Sequence, residues 1–179
     1  MLSQLFLFLS VLSFVVHSLP AACQSPGVKD KAVKCVDQLT PMFAQVKAAQ
    51  NSGWVTLDAA SSVNDMCSIS LDCFKTLQTC AGIDQNLILT MEGVCDLFGF
   101  MTGKFSDCTQ KMETLKNNKC VVDFFTNPVY TDAPDNKTRC NKLKEDGKCV
   151  EKKTESACSK GSAKDFSDHL DGQLKRFNC

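Results

Sequence analysis

The chain has 179 residues, with 20 Lys or Arg against 20 Asp or Glu, so its formal net charge is zero. A neutral chain lacks the excess of positive charge typical of nucleic-acid-binding domains, and we expect no nucleic-acid partner. Twelve cysteines in a chain of this length point to an oxidising compartment, where disulfides form and persist.

The first 22 residues contain no Lys, Arg, Asp or Glu, and the apolar run Leu5–Val16 has the character of a signal-peptide core. Residues 20–22 (Pro-Ala-Ala) supply a helix break and small side chains for a signal peptidase, and a cut after Ser18 fits as well. We therefore expect cleavage between residues 18 and 22. The run is shorter than the ~20 residues that a membrane span needs.

A bacterial lipid-attachment box ending at Cys23 is a rival interpretation of the same segment. It would leave an odd number of thiols, and Pro20 fits such a box poorly. We predict a secreted, extracellular protein with no membrane span. Its mature part is predicted to be a single cysteine-rich helical domain over residues 23–179.

Apolar residues at three- and four-residue spacing predict a helix over residues 29–50, which Pro41 is expected to kink or divide. Gly53 marks its end, and Trp54 is expected to anchor the core. The same periodicity predicts further helical stretches over residues 57–80, 85–101, about 104–116 and about 162–177, and a short apolar cluster over 121–125. We predict an all-α fold, a small disulfide-stapled bundle of about six or seven short helices.

All twelve cysteines remain after any of these cuts, and the even number predicts six disulfides, with the connectivity left open. Cys73 and Cys80 lie two helical turns apart, on one face but too distant to bond each other, so each is expected to bridge to another segment. The predicted disulfide cysteines are Cys23, Cys35, Cys67, Cys73, Cys80, Cys95, Cys108, Cys120, Cys140, Cys149, Cys158 and Cys179.

Residues 127–137 contain two prolines and no sustained period, which predicts a surface loop. Asn136, followed by Lys137 and Thr138, heads the glycosylation sequon of the chain. We expect a glycan on Asn136, and little effect of its removal on folding.

No combination of residues indicates catalysis, a cofactor or a metal. His169 is the only histidine beyond the predicted leader, and no Gly-x-Ser-x-Gly turn supplies a nucleophile. Asp168 and Asp171 cannot both face His169 from a helix. We therefore predict no catalytic residue, no cofactor-binding residue, no metal ligand and no enzymatic activity.

Charge is unevenly distributed along the chain. Residues 57–99 hold six acids and one lysine, whereas residues 137–160 hold eight Lys or Arg and four acids. Such segments can steer partners, lie against each other, or form solvated helix faces. We predict a non-enzymatic module that binds an unknown extracellular macromolecule.

The alternative is a carrier of a fatty acid or another small apolar ligand. Apolar residues of one predicted helix could line a cavity for such a ligand: Leu87, Ile88, Met91, Phe98, Phe100 and Met101. A closed core is the competing use of the same side chains, because a chain of this size needs them to stay folded.

Three segments carry a resemblance to a known family. They are Asp65-Met66-Cys67 with Cys73-Phe74 and Cys80, the run GKFSDCTQKM over residues 103–112, and Phe166-Ser167-Asp168-His169-Leu170 up to Cys179. With the order and spacing of the cysteines, they resemble a nematode-expanded secreted family, domain of unknown function 19, from about Cys23 to Cys179. The resemblance implies an extracellular, helical, disulfide-rich domain without an established activity. Members often carry an aromatic pair soon after the ninth cysteine, where this chain has Asn141-Lys142-Leu143-Lys144.

Overall fold

The computed structural model describes residues 26–81, 85–127, 130 and 133–179. These residues form seven α-helices and a short 3-10 turn, and they contain no strand, so the predicted all-α fold is confirmed. The helices are α1 (Pro26–Ser52), α2 (Leu57–Ala81), α3 (Gln85–Thr102), α4 (Ser106–Met112), α5 (Lys119–Thr126), α6 (Asn136–Ala157) and α7 (Lys160–Arg176), and the 3-10 turn is Glu113–Leu115.

The predicted leader (residues 1–22), its cleavage position and Cys23 lie outside the described residues. Within the described part of the chain, no helix combines the length and the apolar character that crossing a bilayer requires.

Helix ends follow local side-chain chemistry. Gly53 has φ +72°, a left-handed conformation that suits glycine, and it directly follows α1. The Asp135 carboxylate accepts the Thr138 N–H at 2.7 Å and caps α6. The Ser159 hydroxyl oxygen accepts the Ser162 N–H at 3.0 Å and caps α7.

The structure corrects two sequence predictions about element bounds. Of the two effects expected of Pro41, a kink or a division of the first helix, the division is wrong, because α1 continues through Pro41 to Ser52. The predicted loop over residues 127–137 ends earlier than expected, because Asn136 is already the first residue of the 22-residue helix α6.

The helices pack mostly against their neighbours in the chain. Helix α2 lies between α1 and α3, α6 packs against both α5 and α7, and α3 contacts α4 and α7. The predicted short apolar cluster forms α5, whose Val121, Phe124 and Phe125 are buried. Trp54 is buried as expected and meets the Phe125 ring edge-on at 5.8 Å.

Among the described residues, five disulfides join ten of the twelve cysteines of the chain, and they fall into two groups. Cys35–Cys73 and Cys67–Cys95 link α1, α2 and α3. The second group links α4, α5, α6 and the end of the chain: Cys108–Cys158, Cys120–Cys149 and Cys140–Cys179. The side chain of Cys80 lies outside the described part, and no described disulfide connects the two groups. We call the boundary between them the seam.

Aromatic packing holds the seam together. Phe100 of α3 stacks on Phe105 at a centroid distance of 4.4 Å and lies 6.4 Å from Phe166 of α7. Phe166 in turn meets Phe124 of α5 at 5.1 Å. Burial of these large rings stabilises the contact between α3 and α7.

Candidate functional site

A cleft lies at the seam, between α3 and α7. It is open to solvent and has a volume of about 530 Å³. Its walls are Cys95, Asp96, Gly99, Phe100, Lys104, Asp168 and His169. Four of these seven residues have ionisable side chains that line the same cleft. The cleft is therefore the main candidate for a catalytic or binding site.

Asp96 of α3 is the centre of a polar network that crosses the seam. Its Oδ2 accepts one hydrogen bond from Arg176 Nη1 and another from Gln173 Nε2, each at 3.0 Å. Gln173 is buried, and its Nε2 also donates to the Gly93 carbonyl at 3.0 Å. Two α7 side chains therefore hold the Asp96 carboxylate in place through Oδ2, and the Asp96 side chain remains 40% exposed.

His169 is enclosed by the same network. Its ring stacks on Phe100 with centroids 4.3 Å apart and planes 10° apart, and its side chain is only 5% exposed. Nδ1 lies 3.6 Å from Asp96 Oδ2, beyond a good hydrogen bond, and Nε2 is buried with no hydrogen-bond partner.

Burial lowers the pKa of His169 from 6.5 to about 4. The Asp96 carboxylate opposes this change, while Arg176 and Lys104 reinforce it. His169 is therefore neutral at pH 7, and its ring packs against Phe100 instead of facing the solvent.

The remaining charges at the cleft are paired. Lys104 Nζ lies 3.0 Å from Asp165 Oδ1, and Lys164 Nζ lies 2.7 Å from Asp168 Oδ2. The Lys164 ammonium lowers the pKa of the Asp168 carboxyl, mainly through this hydrogen bond. Over the described ranges, no group of three His, Cys, Asp or Glu side chains is arranged to hold a metal ion.

The structure and the sequence agree only partly on this site. His169 is on α7 as expected, and of its two acidic neighbours only Asp168 lines the cleft, whereas Asp171 is exposed outside it. Its acidic neighbour in space is Asp96, which is 73 positions earlier in the chain. No local pattern marks Asp96, because the contact depends on how α3 packs against α7.

The residues proposed to line an apolar cavity do not line this cleft, with the exception of Phe100. Ile88, Met91, Phe98 and Met101 are buried in the hydrophobic core, and the side chain of Leu87 lies outside the described part. A smaller gap, bounded by Leu97, Phe124, Leu143, His169 and Gln173, has no room for a water-sized sphere.

The basic segment 137–160 presents a row of exposed lysines on α6. Lysines 137, 144, 148 and 152 are exposed on α6, at spacings that place them on one side of the helix over about 22 Å. We call these four side chains the lysine face. Among the described residues, no ion pair joins the basic segment 137–160 to the acidic segment 57–99.

A sequence model of one family, the domain of unknown function DUF19, matches residues 23–179. The chain belongs to this family. A curated relative, UPF0376 protein F10G2.1 of Caenorhabditis elegans, is 26% identical over 156 residues, which cover 79% of this chain and 74% of the relative. No solved structure matches the chain.

In this DUF19 member, the run over residues 103–112 has a structural role. Phe105 and Met112 are buried, and Cys108 bonds to Cys158. The buried Thr109 hydroxyl donates to the Met101 carbonyl at 3.0 Å, which fastens α4 to the end of α3.

In this DUF19 chain, the segment that lacks an aromatic pair, Asn141 to Lys144, packs through Leu143 and through Lys142, whose Nζ lies 5.6 Å from the centre of the Tyr130 ring. Leu143 is 1% exposed within the core, while Asn141 and Lys144 face outward. Leu143 is therefore the residue of this segment that enters the core.

Proposed function

We propose that this DUF19 protein is a secreted, non-enzymatic binding module that recognises an anionic extracellular macromolecule through the lysine face. The observation that supports the proposal is that the lysines of α6 reach the solvent without an acidic partner. The four lysines of α6 are exposed, and among the described residues no Asp or Glu side chain pairs with any of them, although Lys144 Nζ donates a hydrogen bond to the Cys179 carbonyl at 2.8 Å.

The disulfides support an extracellular module. Five bridges in a domain of this size suit the oxidising secretory pathway, where a small core gains stability from them. Each of the helices α1 to α6 carries a bridged cysteine, and α7 lies between the bridged Cys158 and Cys179. Such a framework fixes the backbone positions from which surface side chains extend, which lowers the entropy cost of binding.

The cleft supports a non-enzymatic role. An acid-base residue must reach its substrate, and His169 is enclosed by Phe100 and has its pKa lowered to about 4. Asp96 is already engaged by Gln173 and Arg176. These groups stabilise the seam, so we assign binding to the charged surface.

A linear polyanion suits the lysine face because the four ammonium groups are spread along about 22 Å of one helix. The proposed attraction is electrostatic and does not depend on specific contacts to bases or on a pocket. It therefore weakens as the salt concentration rises. Glu145 and Glu155 are the exposed acids of α6, and they reduce this attraction without cancelling it.

The test is elution of the secreted protein from an immobilised sulfated polysaccharide in a salt gradient. The quadruple variant K137Q/K144Q/K148Q/K152Q removes the lysine face. Its matched control, K31Q/K34Q/K111Q/K116Q, removes four exposed lysines elsewhere and changes the net charge equally. We expect the first variant to elute at clearly lower salt than the control.

Equal elution of the two variants, or no retention of the wild type, would contradict the lysine face as the binding surface. Native mass spectrometry on the same preparation tests the alternative function. A bound lipid of a few hundred daltons would favour an apolar-ligand carrier over the proposed module.

A further inference from the structure

We infer that Asn136 carries an N-linked glycan, and that the glycan must be attached before the C-terminal end of the chain closes over the sequon. The inference rests on the secretion proposed above, because only a chain in the secretory pathway meets the transferase. Three hydrogen bonds of the folded structure, each made by a sequon residue, support the inference.

The first contact engages the acceptor nitrogen itself. Asn136 Nδ2 donates a hydrogen bond to the Phe177 carbonyl at 2.7 Å, although the two residues are 41 positions apart. Phe177 is 4% exposed, and the Arg139 guanidinium lies 4.9 Å from the centre of its ring. The chain end is therefore packed against the start of α6, with Asn136 as one of its anchors.

The other two contacts engage Thr138. Its N–H donates to Asp135 Oδ1 at 2.7 Å, and its hydroxyl donates to Asp135 Oδ2 at 3.2 Å. The hydroxyl at this position is what distinguishes a sequon from any other asparagine, since Ser or Thr is required there. In the folded first turn of α6, the Asn136 carboxamide and the Thr138 hydroxyl, which the transferase recognises, are therefore both engaged in hydrogen bonds within the protein.

A covalent bridge keeps this arrangement closed. Cys140 lies one turn after Asn136 in α6 and bonds to Cys179. Lys144 Nζ donates to the Cys179 carbonyl at 2.8 Å, a further contact of the chain end with the same helix. Releasing Asn136 from Phe177 therefore requires the terminal residues and the first turn of α6 to separate.

The transfer chemistry explains why release is needed. The donor is a lipid-pyrophosphate-linked oligosaccharide; the bond between its anomeric carbon and the pyrophosphate oxygen breaks as a bond forms between that carbon and Nδ2. Nδ2 loses one proton to a base of the transferase, and the lipid pyrophosphate leaves. Because the amide lone pair is delocalised into the carbonyl, the transferase has to hold and reorient the carboxamide.

The attached glycan is compatible with the closed structure. A glycosylated Asn side chain keeps one N–H, which can still donate to the Phe177 carbonyl. Asn136 as a whole residue is exposed, so a sugar has space on its outer side. The contacts therefore require glycan transfer to precede closure of the chain end, but they do not prevent the folded protein from carrying the glycan.

The experiment measures initial rates of glycan transfer to the unglycosylated mature chain, using purified oligosaccharyltransferase and a lipid-linked oligosaccharide. Four acceptors are compared: the oxidised wild type, the reduced and alkylated wild type, C140S/C179S, and C120S/C149S. The last is the matched control, because it removes a bridge from α6 while leaving the chain end fastened.

We expect the oxidised wild type and C120S/C149S to accept glycan at least about tenfold more slowly than the reduced chain, because local opening must come first. C140S/C179S should approach the rate of the reduced chain. Equal rates for the oxidised and reduced wild type, or equal rates for the two variants, would overturn the order of events.

Peptide mapping of the protein secreted from eukaryotic cells separates this inference from the proposed function. A cleaved, oxidised protein without a glycan on Asn136 would overturn the glycan and leave secretion standing. A chain that keeps its leader and its thiols would overturn the proposed secretion.

Discussion

Helices α6 and α7 approach closely at Gly147, and replacing this residue with alanine tests how tightly they pack. Gly147 is buried in α6. A Cβ at this position would lie 3.0 Å from Cδ1 and 3.3 Å from Cγ of Leu170, and nearer still to its Cδ2. Leu170 is 7% exposed, so its side chain has little space into which it can move.

Two opposing terms set the expected result. Alanine favours a helix over glycine by about 1 kcal/mol, whereas an extra methyl group in a packed core costs about 1–3 kcal/mol. The control is Gly172→Ala in α7, which is exposed and where an added Cβ meets nothing within 4 Å. We expect Gly172→Ala to stabilise the protein by up to about 1 kcal/mol and Gly147→Ala to destabilise it.

Urea unfolding of the oxidised protein, followed by far-ultraviolet circular dichroism, measures both variants. Leu170→Ala alone should cost about 2–5 kcal/mol, and less than this in the Gly147→Ala background, because the alanine methyl then occupies the vacated space. If Gly147→Ala raises the free energy of unfolding as much as Gly172→Ala does, the close packing of α6 on α7 is refuted.

Three further predictions concern stability and the disulfides. The folded pKa of His169, about 4, lies below its unfolded value of 6.5, so the unfolded state binds more protons between these values. Stability should therefore fall as pH drops from 6.5 towards 4, by at most about 1.4 kcal/mol per pH unit. His169→Phe should flatten this dependence in urea titrations, and an unchanged slope would contradict the assignment. Removing one bridge with C67S/C95S should cost about 3–4 kcal/mol by the loop-entropy estimate for a 28-residue separation, and an unaltered unfolding midpoint would count against it. Non-reducing peptide maps should show the five described bridges, and the even count leaves Cys23 and Cys80 for the sixth; a free thiol on either would refute this pairing.

The helices with strong apolar periodicity could be predicted from the sequence, and α6 could not. The buried line of α6 has helical spacing but consists mainly of small or polar residues, namely Cys140, Leu143, Gly147, Val150 and Thr154. Such residues produce only a weak hydrophobic periodicity in the sequence. Gly147 is nevertheless buried, because Leu170 fills the space beside it. The cap at Asp135 was the available sign that a helix begins at Asn136.

The candidate site was beyond sequence reasoning for a different reason. The sequence identifies His169 as the single histidine after the leader, but its surroundings come from Asp96 and Phe100 of α3. Helical periodicity places Phe100 on an inner face and does not say which helix it meets. Contacts between distant segments depend on packing, which single-sequence patterns do not encode.

The two disulfide groups explain why His169 is buried and neutral. Within each group, a disulfide stabilises the fold mainly by restricting the unfolded chain. Across the seam, the described chain has only the backbone and noncovalent contacts, and a Cys23–Cys80 bridge would belong to the α1–α3 group. Cohesion between the groups therefore rests on ring packing around Phe100 and on the Asp96 network. A charged imidazole at this position would need water around it, and the stacked Phe100 ring excludes that water. His169 is therefore neutral, and its ring is part of the packing that joins α3 to α7.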